Sequence, residues 1–412
     1  MSFIEQLLQG LKAAEGDTRA QAAVAAGFVL QARPEPEREP LREAFDAAAV
    51  LRWFDAPLLA GLLDISQDDA RCRFEALKSL PFVEPFRLRE RDLRNVHEST
   101  RLGWRNQLAQ ADGPRFRLLS KRASECFAGD ESPGGQIECV YHLLCGEPER
   151  GADRLAELTQ QWSSSAHLED EYALATSMKE LEDSRIVGGR ARAWALLAIG
   201  WARSERGEIA QLEQEAKVIS GLAEDTRDRR AQADAAALLG DVLEAQGKLA
   251  EAQAAYGECL AISRRLAGQD PSNAGWQRDL AVTLGDIARI RAAKGEVDAA
   301  LQLQQERLAV NEKLEDMDGI AAASWDIAQL ELRRRDFKAA FPPLARSYSI
   351  LQQIGRLDGL CTVGMLFGQF LCAAGKREEG IKVLTRSRDG FLKLGRSQDA
   401  KQTQALLDGL SQ

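Results

Sequence analysis

The chain has 412 residues, too many for one small domain and enough for two or three. Hydrophobic residues make up 45% and charged ones 28%, which excludes a disordered chain, and aromatics at 6% favour helices over sheets. Lys plus Arg (54) against Asp plus Glu (63) gives a net charge of −9 and argues against wholesale nucleic-acid binding. No run approaches the roughly 18 apolar residues of a membrane span, and Met1-Ser2-Phe3-Ile4-Glu5 is no signal peptide, so the expected compartment is the cytoplasm, without membrane contact.

Residues 1–33 read as an N-terminal helical segment with Phe3, Leu7, Leu8 and Leu11 on one stripe. Residues 34–40, with three prolines among charges, read as a linker that cannot continue a helix. Helices are expected over Leu41–Trp53 and Ala56–Leu63. A third opens at Ser66, with Asp69 three residues on, and stops before Pro81. The segments 82–88 and 92–97 flank a short charged turn and form the one convincing hairpin of the chain. Helices resume at Glu98–Ala109 and Pro114–Phe127.

Three helices followed by a two-stranded wing is the winged-helix order. The run from Ala49-Val50-Leu51-Arg52-Trp53-Phe54-Asp55 through Phe74-Glu75-Ala76-Leu77 and Leu80-Pro81-Phe82-Val83 to Val96-His97-Glu98 resembles the winged-helix module of STAND signalling proteins of the NB-ARC and maltose-regulator types. The resemblance covers residues 41–128. That family's ATPase lies upstream of the module, where only about 40 residues stand here, and no G-x-x-x-x-G-K-[ST] occurs. Neither a nucleotide nor any other cofactor is expected.

Residues 134–182 read as a degenerate helical repeat region, and 187–395 as a repeat array. Small residues recur at Gly200, Gly240, Ala288, Ala328 and Gly368, in steps of 40, 48, 40 and 40. Seven residues after each comes a turn, at Gly207, Gly247, Gly295, Arg335 and Gly375. Twelve after comes a second small residue at Ala252, Ala300, Ala340 and Gly380, with Leu212 the exception. The 48-residue step holds an eight-residue insertion within Ala267–Trp276. This pattern resembles tetratricopeptide repeats lengthened from the usual period of about 34. The fold class expected is all-α: an α-solenoid of such repeats behind a small winged-helix-like domain with one β-hairpin. Residues 396–412 supply a capping helix.

Catalytic constellations are poorly supplied. The histidines are His97, His142 and His167, and no H-E-x-x-H, G-x-S-x-G or G-x-G-x-x-G occurs. His97 is expected to pack where the wing meets the next helix. Cys139, His142 and Cys145 share a helix face, but a metal site needs a further ligand, and small buried thiols are the plainer reading. No enzymatic activity and no metal are expected.

The tetratricopeptide resemblance implies a binding groove lined by the helix-A residues three before and one after each small position. Here these are Leu197 and Trp201, Ala237 and Asp241, Gly285 and Arg289, Trp325 and Gln329, Met365 and Gln369. The Lys and Asn of the chaperone-adaptor type are absent. Aromatic anchors with sparse polar groups suit a peptide or helix of a protein partner, although each tryptophan could equally be core. The expected function is a protein-interaction scaffold, sensor or adaptor in a bacterial signalling or defence system. The alternative is a DNA-binding transcription regulator with a winged-helix reader. A candidate basic patch for it comprises Arg87, Arg89, Arg91, Arg94, Arg101 and Arg105, in a stretch (87–122) with ten Lys/Arg against four Asp/Glu. The helix that would read DNA, Ser66–Leu80, balances Asp68, Asp69 and Glu75 against Arg71, Arg73 and Lys78.

Overall fold

The computed structural model describes residues 3–86, 92–163 and 168–410 and contains, among them, twenty-one helices and a single two-stranded sheet. The chain is all-α. It forms two compact units, residues 1–208 with 218–228, and residues 209–217 with 229–412.

The first unit opens with α1 (Phe3–Ala13) and α2 (Thr18–Gln31), the latter started by Asp17, whose carboxylate accepts the Arg19 and Ala20 N–H groups. Helix α3 (Arg38–Val50) begins inside the segment expected to be a linker. Pro40 falls in its first turn, where a missing N–H costs no hydrogen bond. Helix α4 (Ala56–Leu63) is capped by Asp55 and α5 (Gln67–Lys78) by Ser66, which accepts the Asp69 N–H and donates its hydroxyl to the Asp69 carboxylate.

Strands β1 (Val83–Phe86) and β2 (Leu93–Val96) pair antiparallel with Val83 opposite Val96, and Phe54 exchanges two backbone hydrogen bonds with Arg94 at the far edge. Helices α3 to α5 followed by β1 and β2 keep the winged-helix order. Around them, α2 crosses α6 (Glu98–Ala111) so closely that a Cβ on Gly103 would collide with the Arg19 carbonyl. Phe45 joins Phe82 and Trp104 at ring-centroid distances of 5.1 and 4.9 Å. His97 is exposed at the start of α6 and does not pack, because only its backbone bridges Phe82 and Arg101. The unit continues with α7 (Gly113–Phe127), α8 (Pro133–Gly146), α9 (Pro148–Ser163), α10 (Leu168–Asp183) and α11 (Gly189–Glu205). The next helix, α12 (Leu212–Asp225), is shared out between the two units.

The second unit is built from antiparallel helix pairs: α13 (Arg229–Ala245) with α14 (Leu249–Gln269), α15 (Ala274–Ala293) with α16 (Val297–Lys313), α17 (Met317–Arg333) with α18 (Phe337–Ile354), and α19 (Leu357–Ala373) with α20 (Arg377–Lys393). Helix α21 (Ser397–Leu410) closes it. These are tetratricopeptide-like hairpins. From Val297 to Ser397 a new helix begins every twenty residues, and two residues before each start stands a left-handed residue: Gly295, Glu315, Arg335, Gly355, Gly375 and Gly395. All five turns expected from the register, Gly207, Gly247, Gly295, Arg335 and Gly375, have positive φ.

The small positions are where the two helices of a pair touch. Ala252, Ala300 and Ala340 are wholly buried, and a Cβ on Gly240 would come within 2.7 Å of the Tyr256 ring. The 48-residue step is absorbed by longer helices, 21 residues in α14 and 20 in α15 against 17 in α16, and Asn273 restarts the chain by accepting the Trp276 N–H at 3.1 Å.

A left-handed backbone costs an L-residue about 1–2 kcal/mol. Gly247→Ala is therefore expected to lower the unfolding free energy by that amount in urea titration, whereas Arg335→Gly leaves it level or higher. A neutral Gly247→Ala would remove the conformational reason for the register.

Candidate functional site

In the second unit the odd-numbered helices present one shared face. Asp241 on α13 is half-buried and accepts the hydroxyl of the fully buried Tyr256, which reaches it from α14. Arg289 on α15 is exposed and bridges Glu244 of α13 and Asp286 of its own helix, the latter at 3.1 Å. Arg307 comes from α16 and crosses α15 at Gly285, where a Cβ would lie 3.0 Å from its guanidinium. It pairs with Asp326 of α17 at 2.9 Å, and Gln304 donates to the same carboxylate at 3.2 Å. Trp325, Gln329, Met365 and Gln369 are all half-buried. Trp325 lies against the core around Tyr348 and Leu344, and Met365 against Cys361 and Phe391. Trp325 is thus both core and face.

The electrostatics of this face are those of carboxylates pulled out of water. Burial raises Asp241, Asp326 and Asp286 above the ordinary aspartate range. Asp286 reaches about 6, because the Asp241 charge adds to its desolvation and Arg289 only partly offsets both. A cavity of about 280 Å³ opens there, lined by Gly285, Asp286, Arg289, Arg307, Asp326 and Gln329 among others.

Sequence reasoning named Asp241, Gly285, Arg289 and Gln329 in this strip and missed Glu244, Tyr256, Asp286, Arg307 and Asp326. One signal was available: Asp286 and Asp326 are 40 residues apart, at the same register position two before the small residue. Nothing in the register points to Arg307 or Tyr256, which arrive from the second helices of their pairs.

Other expected site residues lie elsewhere. Leu197 and Trp201 belong to the first unit. Leu197 is 2% exposed, because α11 packs on both α9 and α10, so it is core rather than face. Trp201 is half-buried. Of the candidate basic patch, Arg87, Arg89 and Arg91 lie outside the described residues, and Arg94 pairs with Asp92 at 2.8 Å. Arg101 and Arg105 are no surface patch at all: they are 5% and 0% exposed and bind the Glu180 carboxylate of α10 at 2.5 and 2.6 Å.

That ion cluster ties the hairpin-bearing module to the helices behind it. Tyr141 donates its hydroxyl to Glu180, and Arg52 bridges Glu138 at 2.9 Å and Ser177 at 2.6 Å. Burial pushes the Glu180 carboxyl up, but Arg101 and Arg105 more than offset it and hold it below the usual range. Burial, with the Arg101 and Arg52 charges adding to it, takes Arg105 down to about 10 although Glu180 pulls the other way. His142 stacks on Phe127 and is held neutral: desolvation, then the Arg52 and Arg105 charges, lower it to about 3. Its neighbour Cys145 is a buried thiol raised to about 12, and Cys139 is half-buried. Among the described residues no group of three His, Cys, Asp or Glu could hold a metal ion. His167 lies outside them.

No protein-family model matches the chain, and no curated protein matches it. Solved structures with a similar course exist. A kinesin light chain with nearly identical tetratricopeptide-like repeats, from Podosopora anserina, is 17% identical over 50% of this chain and 98% of that one, with a TM-score of 0.41. A signal transduction ATPase with numerous domains (STAND) and a tetratricopeptide repeat sensor, from Pyrococcus horikoshii, is 11% identical over 94% of this chain and 65% of its own, with a TM-score of 0.48. Aspartyl phosphate phosphatase F from Bacillus subtilis is 10% identical over 100% and 93%, with a TM-score of 0.46. None reaches a TM-score of one half, and no residue role is carried over from them. No helix among the described residues is long and apolar enough to cross a membrane.

The first unit should be acid-labile. A histidine lowered to about 3 in the folded state binds its proton only on unfolding, so stability falls as pH drops from 6.5 towards 3. Glu180, also lowered, adds its loss below about 4.5, while the raised Glu138 works in the opposite direction. Thermal melting across this range should decline from pH 6.5 downward, and His142→Phe should abolish the decline above about pH 4.5. Glu180→Gln, which strands two buried guanidiniums, should cost about 3–5 kcal/mol at neutral pH.

Proposed function

We propose that the chain is a non-enzymatic interaction scaffold or sensor that binds an extended or helical segment of a partner protein along the odd-helix face of its second unit. The observation that carries this reading is the composition of that face. Four successive hairpins present half-buried Asp241, Trp325, Gln329, Met365 and Gln369 with the exposed Arg289, and a cavity lined by Arg289 and Gln329 opens among them, an aromatic anchor beside partly desolvated charges. Half-buried carboxylates raised by desolvation contribute little to folding, which is the pattern of a surface shaped for something else.

A cytoplasmic setting is part of the same proposal, and the role in bacterial signalling or defence comes from the resemblance to STAND proteins noted in the sequence. A DNA-reading role has no comparable support. In α5, Arg71 pairs with Asp68, Arg73 with Glu43, and Lys78 with both Glu75 and Asp92, so each of its cations is engaged within the module.

Partners captured by the full chain from its native host and identified by mass spectrometry give the test. Trp325→Ala should weaken capture by about 2 kcal/mol or more, about thirtyfold, and Arg289→Ala should weaken it with no change in melting. Since Trp325 also touches core, its melting temperature drops as well, and Arg289→Ala separates the two effects. Unchanged capture with both variants would move the interaction off this face.

A further inference from the structure

Five aromatic side chains of the second unit form one ladder on α18 and α19. Tyr348 meets Phe367 at a ring-centroid distance of 5.0 Å and Phe367 meets Phe341 at 5.9 Å. Phe341 then meets Phe370 at 6.4 Å, and Phe370 meets Phe337 at 6.3 Å. The ladder starts in the core at Tyr348 and ends in water: Phe341, Phe367 and Phe370 are half-buried, and Phe337 is 62% exposed. Packing does not demand this. Leu249 and Val297 open α14 and α16 as Phe337 opens α18, yet both are half-buried. Ile290 and Leu330 stand two after their small residues, as Phe370 does, and both are core. This rim therefore keeps ring surface accessible where the neighbouring hairpins put the equivalent side chains away.

Charge is the second observation. Phe337 follows the turn Arg333-Arg334-Arg335-Asp336 and precedes Lys338. Arg334 is paired with Glu331 at 3.2 Å and Asp298 at 3.3 Å, and Arg333 donates to the Ala292 carbonyl at 3.1 Å. Arg335 and Lys338 are exposed and make no ion pair among the described residues. The carboxylate between them, Asp336, caps α18 by accepting the Ala339 N–H at 2.9 Å. Lys338 lies three residues before Phe341 and shares its side of the helix. Arg335 holds a left-handed φ of 63°, where the other turns of the register have Gly207, Gly247, Gly295 and Gly375. A guanidinium is kept at a position where glycine would be less strained.

We infer that this rim, Phe337, Phe341 and Phe370 flanked by Arg335 and Lys338, docks an acidic segment of a partner protein that lays one apolar side chain along the rings. The rim needs no occupant on the odd-helix face to do so. Carboxylates of the segment pair the two free cations beside an apolar surface that excludes water, whereas a basic segment is repelled. Nucleic acid and an anionic bilayer are disfavoured by the net charge of −9. A bilayer also takes aromatics that protrude together, and here Phe337 alone stands out from the ladder.

The test selects a random-peptide display library on the full chain and discards every clone that also binds the Phe337→Ala, Lys338→Glu double variant. The remaining peptides should carry Asp or Glu around an apolar residue. In calorimetry Phe337→Ala should weaken them at least about tenfold and Arg335→Gly at least about threefold, and affinity should fall as NaCl rises. Both single variants should melt close to or above the wild type, because each alters an exposed side chain. Trp325→Ala should leave these peptides unaffected. An empty pool after the subtraction, or a pool of basic or neutral peptides, would overturn the inference and leave the odd-helix reading to its own test. Self-association of the wild type in sedimentation that the double variant loses would make a second copy of the chain the occupant instead. Binding to phosphatidylserine vesicles or single-stranded DNA that the double variant loses would equally overturn it.

Discussion

Every feature of the second unit depends on how closely two helices of a hairpin can approach. Where Gly240 meets Tyr256, no side chain intervenes between the α13 backbone and the tyrosine ring. The same contact is made wherever a buried alanine sits at the crossing, as at Ala300 and Ala340. Close crossing fixes which stripe of each helix is inward. Once that stripe is fixed, the residues three before and one after it fall roughly 60–100° round the helix, on its flank, and in the second unit they are half-buried or exposed. The half-buried face is a by-product of the packing contact.

This explains why the face is polar without being fully hydrated. A-type helices crowd beside one another, so side chains between them lose water before they find partners, and the aspartates there rise in pKa accordingly. The first unit faces the same problem and settles it differently. There the charges are taken completely inside and matched: Arg101, Arg105 and Tyr141 all converge on Glu180. One cluster is closed on itself and holds a module in place, while the other stays open to water beside a cavity.

The sequence made the hairpin register legible because its markers have local physical causes. Glycine at a left-handed turn and a small residue at a crossing are forced by backbone geometry, and both recur at fixed spacing. The β-hairpin and the cap at Ser66 were legible for the same reason, whereas the cap at Asp55 emerged only from the structure. What the register could not show was any group that travels across the fold. Arg307 and Tyr256 reach the face from partner helices, and Arg101 and Arg105, which look in sequence like part of a basic strip, are drawn inward by a glutamate some 75 residues away or more. Leu197 had the right register and the wrong surroundings, since α11 packs on both α9 and α10 and leaves this side chain 2% exposed. Pro40 misled for a local reason: a proline forbids a helix interior but suits a first turn.

The twenty-residue beat from Val297 to Ser397 has a consequence for how such a chain can change length. Each helix in this stretch occupies the same span, but alternate helices play opposite parts, one belonging to the odd-helix face and the next packing behind it. Gain or loss of two beats by unequal recombination preserves every crossing and simply lengthens or shortens that face. Gain or loss of one beat keeps all the turns yet exchanges the two parts downstream, so that residues suited to the back arrive on that face. The array is therefore divisible only in pairs, and the longer α14 and α15 mark the point above which even a pair would no longer be interchangeable with its neighbours.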